Sequence, residues 1–466
     1  MKRFLLFFVA TCIMLSATVA QISVWDGTNT AWINGTGTAT NPYLIETAAH
    51  LAHLAVYVNN NDNANDEGVV GVGKYWKLTT NIDLNSLQWI PIGFHNSSYD
   101  CSSFGGHFDG NEHTIANLVI TDKFQAGLFG AMNGGSVKNI GIVGSSSIGG
   151  NNAAGILAYA MGDIAIVNCY NTCHIEATVA ATATSYVGGL VGRVVSGGNL
   201  SIANCYNTGA LTADKHYISR IGGIVGYADW SDVSINHCYN TGTIYACSRA
   251  GGIVGSINSC NNATINNCYN TATVSGVPEY ETHSVGGIVG EVYPAVTINN
   301  CYNTGTISAT TGIGGIVGNG NSDDVHNSYY LNTSVSNAGG GVAKSTTEMK
   351  TQGFVDLLNS GPTPNNAYTL DINITNEGYP ILKWQTGEVG IKEIVLSNIS
   401  VYPNPTTGQL TITSEQLSNY CIYSITGQVM LQGKLHSETT TINVESLPAG
   451  IYFLRVSERT VRFVKQ

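Results

Sequence analysis

Cysteine, tyrosine and asparagine recur together five times, as Cys-Tyr-Asn at 169–171, 205–207, 238–240, 268–270 and 301–303. Thiols ligate zinc or pair as disulfides, phenol rings stack on ligands, and amides bond in rows. The cysteine steps are 36, 33, 30 and 33 residues, so whatever these residues do is done once per repeat. Zinc asks for four ligands set tetrahedrally about one point; residues that recur once per coil make a column instead. Disulfides between adjacent coils fit the Cα separation but need converging Cβ vectors, and in-register side chains run side by side. The column Cys169, Cys205, Cys238, Cys268 and Cys301 is therefore read as buried thiols acting as small hydrophobes, with a few coil-to-coil disulfides as the alternative. Cys101, Cys173, Cys247, Cys260 and Cys421 lie outside this spacing, which leaves their pairing open.

Other chemistry is thinly represented. Glycoside hydrolysis uses two carboxylates roughly 5–9.5 Å apart. Asp229 with Asp232, Asp323 with Asp324, and Glu279 with Glu281 are the close pairs, all beside glycine or serine in expected loops, where a solvated turn carboxylate is the plainer reading. A lyase needs a basic residue next to acidic calcium ligands, and the repeats carry chiefly Arg193, Lys215, Arg220 and Arg249. His-Glu-x-x-His and Gly-x-Ser-x-Gly are missing. Glu112 and His113 fall in a turn. No catalytic, cofactor-binding or metal-ligating residue is assigned, and no cofactor is expected.

The elements that position the repeat follow from a second motif. Gly-Gly-(Leu/Ile)-Val-Gly begins at Gly188, Gly222, Gly251, Gly286 and Gly314 and interleaves with Cys-Tyr-Asn. A fixed period, glycine-bounded short strands and no helical punctuation point to a β-solenoid. Degenerate copies give side-chain direction. Ile166, Cys169 and Asn171 are matched by Val137, Ile140 and Ile142, and by Ile115, Leu118 and Ile120 at the same offsets. The Cys and Asn slots thus face the core, with Asn171, Asn207, Asn240, Asn270 and Asn303 as a hydrogen-bonded ladder. A three-residue step breaks the two-residue strand period, so a corner is expected between Ile and Cys. Tyr170, Tyr206, Tyr239, Tyr269 and Tyr302 then point outward as a candidate ligand-facing stripe. The variable loops after each unit, such as 212–220 and 275–284, are the other candidates.

Around the repeats, Leu51, Leu54, Ala55 and Val58 have helical spacing behind Thr47, a candidate N-cap. Ser345 and Glu348 form a capping-box pattern before Phe354, Leu357 and Leu358. A closing strand is expected in Gly378–Trp384. After Gly390 the chain alternates with period two between Gly and Pro turns, which reads as a small antiparallel β-sandwich. At the start, Lys2 and Arg3 precede an apolar run from Phe4 to Leu15 and small residues at Thr18 and Ala20, the pattern of a secretory signal peptide. No later segment is apolar enough to span a bilayer as a helix. With 11% charged residues, 55 glycines and a net charge of −11, the 466-residue chain suits stacked strands and is a poor nucleic-acid binder.

Two resemblances become specific at this point. Tyr75–Asn85, "WIPIG" from Trp89, Phe108 to Ile115, "AGLFG" from Ala126 and the later "GGIVG" units are similar to the GLUG-motif repeat family of bacterial surface proteins, over roughly 70–330. That resemblance implies a right-handed parallel β-helix in an adhesin-like protein. Residues from about 396 resemble the type A C-terminal sorting domain of the Bacteroidetes type IX secretion system. Pro403, Asn404, Pro405 and Gly408 match its first strand and turn, and Pro448, Ala449, Gly450 and Tyr452 a later hairpin. This implies recognition by the type IX machinery, with the cargo released or attached to surface lipopolysaccharide.

The combined expectation is an all-β chain: signal peptide 1–20, N-terminal capping region with a helix 21–103, right-handed parallel β-solenoid 104–340, C-terminal cap and linker 341–392, and a sorting-domain β-sandwich 393–466. Its expected role is a secreted or outer-membrane surface protein that binds a glycan or protein ligand without catalysis. The alternative is a carbohydrate-active β-helix enzyme with its catalytic pair in the loops.

Overall fold

The computed structural model describes residues 22–386 and 400–466, apart from short stretches at 61–67, 98–99, 179–183, 196, 214–217, 278–283, 294–295, 336, 338, 363–365, 414–418, 425–428, 436, 438 and 457–458. The signal-peptide segment, Lys215, Glu279, Glu281 and much of the two variable loops lie outside the described residues. The chain divides into two units, 1–387 and 388–466.

The first unit is a parallel β-solenoid. Each repeat visits three sheets in order. In one repeat, Tyr170–Asn171 joins the first sheet, His174–Ala177 and Thr184–Gly188 the second, and Val191–Val194 and Asn199–Ala203 the third. The first sheet has 11 strands and is parallel throughout its path. One ladder runs Ile82, Ile115, Ile142, Asn171, Asn207, Asn240, Asn270, Asn303 and Tyr330. The adjacent ladder runs Thr114, Gly141, Tyr170, Tyr206, Tyr239, Tyr269, Tyr302 and Tyr329. Neighbouring positions on a strand face opposite sides, so amides point in and rings point out.

Parallel pairing begins earlier than residue 104. Ile22–Val24 already pairs with Asn81–Asp83, and Tyr43–Ile45 pairs with Tyr75–Leu78. Helix α1, Ala48–Asn59, sits within this first stretch rather than ahead of it, with Thr47 accepting from the His50 N–H at 3.1 Å. Leu51, Leu54, Ala55 and Val58 are buried in the same apolar cluster that runs through the solenoid.

The repeat alignment needs one correction. Val137, Ile140 and Ile142 hold the expected places: Val137 pairs with Ile166 and Ile142 with Asn171. Ile115, however, stands in the Asn ladder, and Phe108 takes the Ile166 position by pairing with Val137. Ile120 belongs to the second sheet, opposite Ile148. The cause is the turn at Asn111 and Glu112, both at positive φ (50° and 67°), which lengthens the connection in that coil. Ile115, Leu118 and Ile120 are all buried, so composition alone does not reveal the slip.

The corner expected before Cys is a single residue in the left-handed region. Asn139, Asn168, Asn204, Asn267, Asn300 and Asn327 have φ between 46° and 54°, and His237 fills the position once at 55°. Asparagine tolerates this conformation better than other side chains with a Cβ. The glycine motif has a different cause. Gly223 is at ordinary φ, but a Cβ there would lie 2.1 Å from the Gly252 carbonyl oxygen and 2.5 Å from Asn240 Cγ. Coils approach so closely at this position that only hydrogen fits.

After the last coil the chain turns back. Helix α2, Thr346–Met349, opens with a capping box between Ser345 and Glu348. A second N-cap at Thr351, whose Oγ1 accepts from the Phe354 N–H at 3.2 Å, starts helix α3, Gln352–Asn359. One expected helix is thus two, broken where Thr351 competes for the backbone donors. Ile381–Leu382 pairs antiparallel with Tyr368–Thr369 and leads into a 3₁₀ turn at Lys383–Thr386.

The second unit has two antiparallel sheets. Strands 400–402, 409–413 and 439–443 form one; strands 419–424, 429–434, 450–456 and 459–465 form the other. Leu410, Ile412 and Ile442 from the first share an apolar cluster with Ile422, Leu454 and Phe463 from the second.

Candidate functional site

The five repeat cysteines are fully buried and carry free thiols, and the described cysteines form no disulfide. Each sulfur lies against the carbonyl two residues earlier, at 3.2–3.3 Å. Sulfurs also accept from the preceding coil's cysteine backbone, as in Cys169 N–H to Cys205 Sγ at 3.3 Å. Burial pushes the thiols of Cys169, Cys205 and Cys268 well above their ordinary range, which disfavours the reactive thiolate. No cluster of three or more metal-ligating side chains occurs among the described residues.

The five repeat asparagines are also fully buried. Along the row from Asn171 to Asn303, each Nδ2 donates to the next asparagine's Oδ1 at 2.8 Å. Each Nδ2 also donates to the carbonyl two residues on, at 2.8–3.0 Å. The left-handed corner asparagines add an outer row: Asn168 donates to Asn139 at 2.9 Å and Asn327 to Asn300 at 2.8 Å. This second row follows from the Asn that precedes Cys in most repeats, a signal the sequence carried.

The outward tyrosines stack as a ladder. Ring centroids are 4.7–5.0 Å apart and planes differ by 2–7° from Tyr170 to Tyr302. The stripe is not open along its length. Residues 345–362 and 366–386 run back over it, and Tyr269 and Tyr302 are buried, at 1% and 0% exposure. Phe354 packs edge-on against Tyr302 and Tyr329. Tyr368 donates to the Asn300 carbonyl at 2.8 Å. The Tyr302 hydroxyl donates to the Pro380 carbonyl and accepts from Asn376 Nδ2 at 2.8 Å. Gln385 pairs with the Tyr269 hydroxyl, while Trp384 lies 5.8 Å from Tyr239 and donates to the His237 carbonyl. A ligand-facing role for Tyr269 and Tyr302 is thereby excluded in this conformation; Tyr170 stays half-buried at the uncovered end.

Asp229 and Asp232, expected in a loop, are strand ends instead: Asp229 closes the strand Val225–Asp229 and Asp232 opens the strand Asp232–Asn236. Asp232 accepts from the Asn262 N–H and Nδ2, both at 3.0 Å, and Asp229 accepts from Asn258 at 3.0 Å. Asp323 lies in a turn, where its N–H donates to Asn321.

The positions flanking the glycine motif make a different arrangement. Two outward columns run side by side, one through Asn152, Tyr186, Arg220, Arg249 and Ser284. The other runs through Tyr159, Arg193, Tyr227, Ser256, Glu291 and Asn319. Across them, rings and guanidiniums alternate. Arg193 sits 5.7 Å from the Tyr159 centroid and 4.7 Å from Tyr186. Arg220 sits 5.5 Å from Tyr186 and 4.4 Å from Tyr227. His95 stacks on Tyr159 at 5.2 Å, extending the series. At the far end Arg249 pairs with Glu291, which also accepts from Ser256 at 3.3 Å. A cleft of about 380 Å³ opens there, lined by Ser248, Arg249, Ser284, Glu291, Thr311 and Asn319. Arg193, Arg220 and Arg249 were visible as the sparse bases of the repeats; their alternation with Tyr needs the coil register.

In the second unit both motif segments lie against the last strand, 459–465. Asn404 Oδ1 accepts from the Val464 N–H at 2.9 Å, and Thr406 N–H donates to the Val464 carbonyl at 2.8 Å. Tyr452 donates to the Pro448 carbonyl at 2.9 Å and stacks on Phe463. The Gly408 carbonyl accepts from the Val444 N–H at 2.8 Å.

Residues 400–466 match the family described as the secretion system C-terminal sorting domain. That tail marks a secreted or cell-surface protein. The chain is also similar to a protein described as a Gly-rich membrane protein of Evansella cellulosilytica, 32% identical over 28% of this chain and 14% of that one. It is also 29% identical to halomucin of Haloquadratum walsbyi, over 39% of this chain and 2% of the relative. The chain thus spans a small fraction of either relative's length. No solved structure matches it. No helix among the described residues is long and apolar enough to cross a membrane.

Proposed function

We propose that this chain is an adhesin-like surface protein, delivered by type IX secretion through residues 400–466, whose solenoid binds a glycan or protein ligand without catalysis. The observation that carries the reading is the alternating Tyr–Arg series on the outward columns. In a chain with 11% charged residues, three arginines gather on consecutive coils at the two sides of one glycine motif. Such a surface has recognition chemistry; the carboxylate in its two columns, Glu291, is paired with Arg249, whereas hydrolysis uses two carboxylates. Aromatic and Arg side chains are the common anchors of binding surfaces.

In the same reading, the coils are right-handed GLUG-type repeats, α1 closes the N-terminal end, and the C-terminal sheets form the sandwich read by the secretion machinery. The signal peptide is removed on the way, and surface lipopolysaccharide is the natural attachment. The purified chain applied to a glycan array, followed by a reducing-sugar assay on each retained glycan, tests this. Retention without sugar release is expected. Release of sugar would establish the carbohydrate-active enzyme instead.

A further inference from the structure

Resting on that binding reading, the geometry points to the Tyr–Arg series and the adjoining cleft as one site for an extended anionic polysaccharide. Its ligand carries sugar hydroxyls throughout and carboxylate or sulfate groups at intervals.

The charge pattern favours an anion. Arg193, Arg220 and Arg249 present one guanidinium per coil over three coils, and parallel strands stack roughly 4.8 Å apart. Arg249 is held by Glu291. Arg193 and Arg220 form no ion pair among the described residues, and the Nε of each is covered without a hydrogen-bond partner. Two cations this close repel, and the rings between them offset only part of that. A bridging anion would accept from their outward N–H groups and relieve the repulsion.

The same pattern disfavours other polyanions and a protein partner. A nucleic acid places a charge on every unit and needs many cations to meet it; this band offers two that are free and adds the Glu291 carboxylate. Protein hot spots sit in well-packed, fully desolvated pockets, whereas the cleft is lined by the hydroxyls and amide of Ser248, Ser284, Thr311 and Asn319. Its volume of about 380 Å³ is at the lower end of small-ligand sites. The ring faces are already occupied, by guanidiniums, by His95 on Tyr159 and by the direct stack of Tyr186 on Tyr227 at 5.0 Å, so a ligand meets ring edges and N–H groups. Hydroxyls and anionic groups suit that surface.

The full chain is titrated calorimetrically with polygalacturonate, dextran sulfate and neutral dextran, as wild type and as Arg193→Gln, Arg220→Gln, the double variant and Arg220→Lys. Tight binding of an anionic polymer is expected, with neutral dextran at least roughly tenfold weaker, a gap that corresponds to about 1.4 kcal/mol. The double variant should lose binding, and Arg220→Lys should retain part of it. The carboxylate and sulfate arms say which anion is preferred. Wild-type binding should weaken with salt in proportion to about two neutralised cations, a readout that survives if a variant fails to fold. Equal affinity for neutral and anionic polymers, or an unaffected, folded double variant, would overturn the anionic assignment and leave glycan binding intact. Absence of binding to any polymer here and on the array would remove both.

Discussion

Asn240 offers the sharpest test of the interior ladder. Its Nδ2 donates to the Gly242 carbonyl at 2.9 Å and to Asn270 Oδ1 at 2.8 Å. Its Oδ1 accepts from the Gly242 N–H at 3.3 Å and from Asn207 Nδ2 at 2.8 Å. Asn240→Ala removes all four in a fully buried position. The neighbours are partly protected: Asn207 keeps the Gly209 carbonyl, and Asn270 keeps the Ala272 N–H. Gly242 loses the side-chain partner of both its N–H and its carbonyl. With a net worth of about 1 kcal/mol per hydrogen bond, and about 1–3 kcal/mol for a buried group left unpaired, the expected loss is about 2–4 kcal/mol. The small cavity works in the same direction. Urea unfolding followed by circular dichroism should show a lower midpoint at unchanged m. Hydrogen exchange should quicken at residues 207, 240 and 270 before the distant coils, since repeats couple mainly to their neighbours. A loss below about 0.5 kcal/mol, within the range of an inert surface change, would refute the idea that these amides hold coil to coil.

Other outcomes follow from the same geometry. Gly223→Ala puts a Cβ 2.1 Å from the Gly252 carbonyl oxygen, so soluble folded protein should fall sharply on expression, measured by gel filtration. Tyr302→Phe deletes the hydroxyl that bonds Pro380 and Asn376; residues 366–386 should become protease-sensitive while the solenoid keeps its melting behaviour. Burial raises the Asp371 pKa, but donors from Asn376, Gly378 and Thr375 outweigh it and hold the carboxyl below its ordinary value. Its contribution is therefore present above the ordinary Asp range and lost as pH falls through the lower folded value, so acid should release the 366–386 segment, and Asp371→Asn should remove that pH step. Burial and the neighbouring Tyr170 push Tyr206 up to about 12; its contribution is full below the ordinary tyrosine value and fades as pH approaches 12. Tyrosinate absorbance in the folded protein should therefore lag that of the denatured chain.

Much of this protein was determined by sequence alone. A repeat of fixed period with paired glycines can bury its apolar residues only by stacking, and an amide placed where earlier coils carry Ile142 must turn inward to join its own kind. The sorting tail was legible because Pro403 to Gly408 and Pro448 to Tyr452 form a specific string. Tertiary structure decided the rest. The slip at Ile115 came from a lengthened turn at Asn111 and Glu112, invisible because the residues that trade places are apolar on either reading. The fate of the tyrosine stripe depended on residues 345–362 and 366–386, more than 40 positions beyond Tyr302, folding back to cover it. The Tyr–Arg series alternates between two columns on successive coils, so neither column shows it when read along the chain. Register brings those side chains together, and register is a property of the stack.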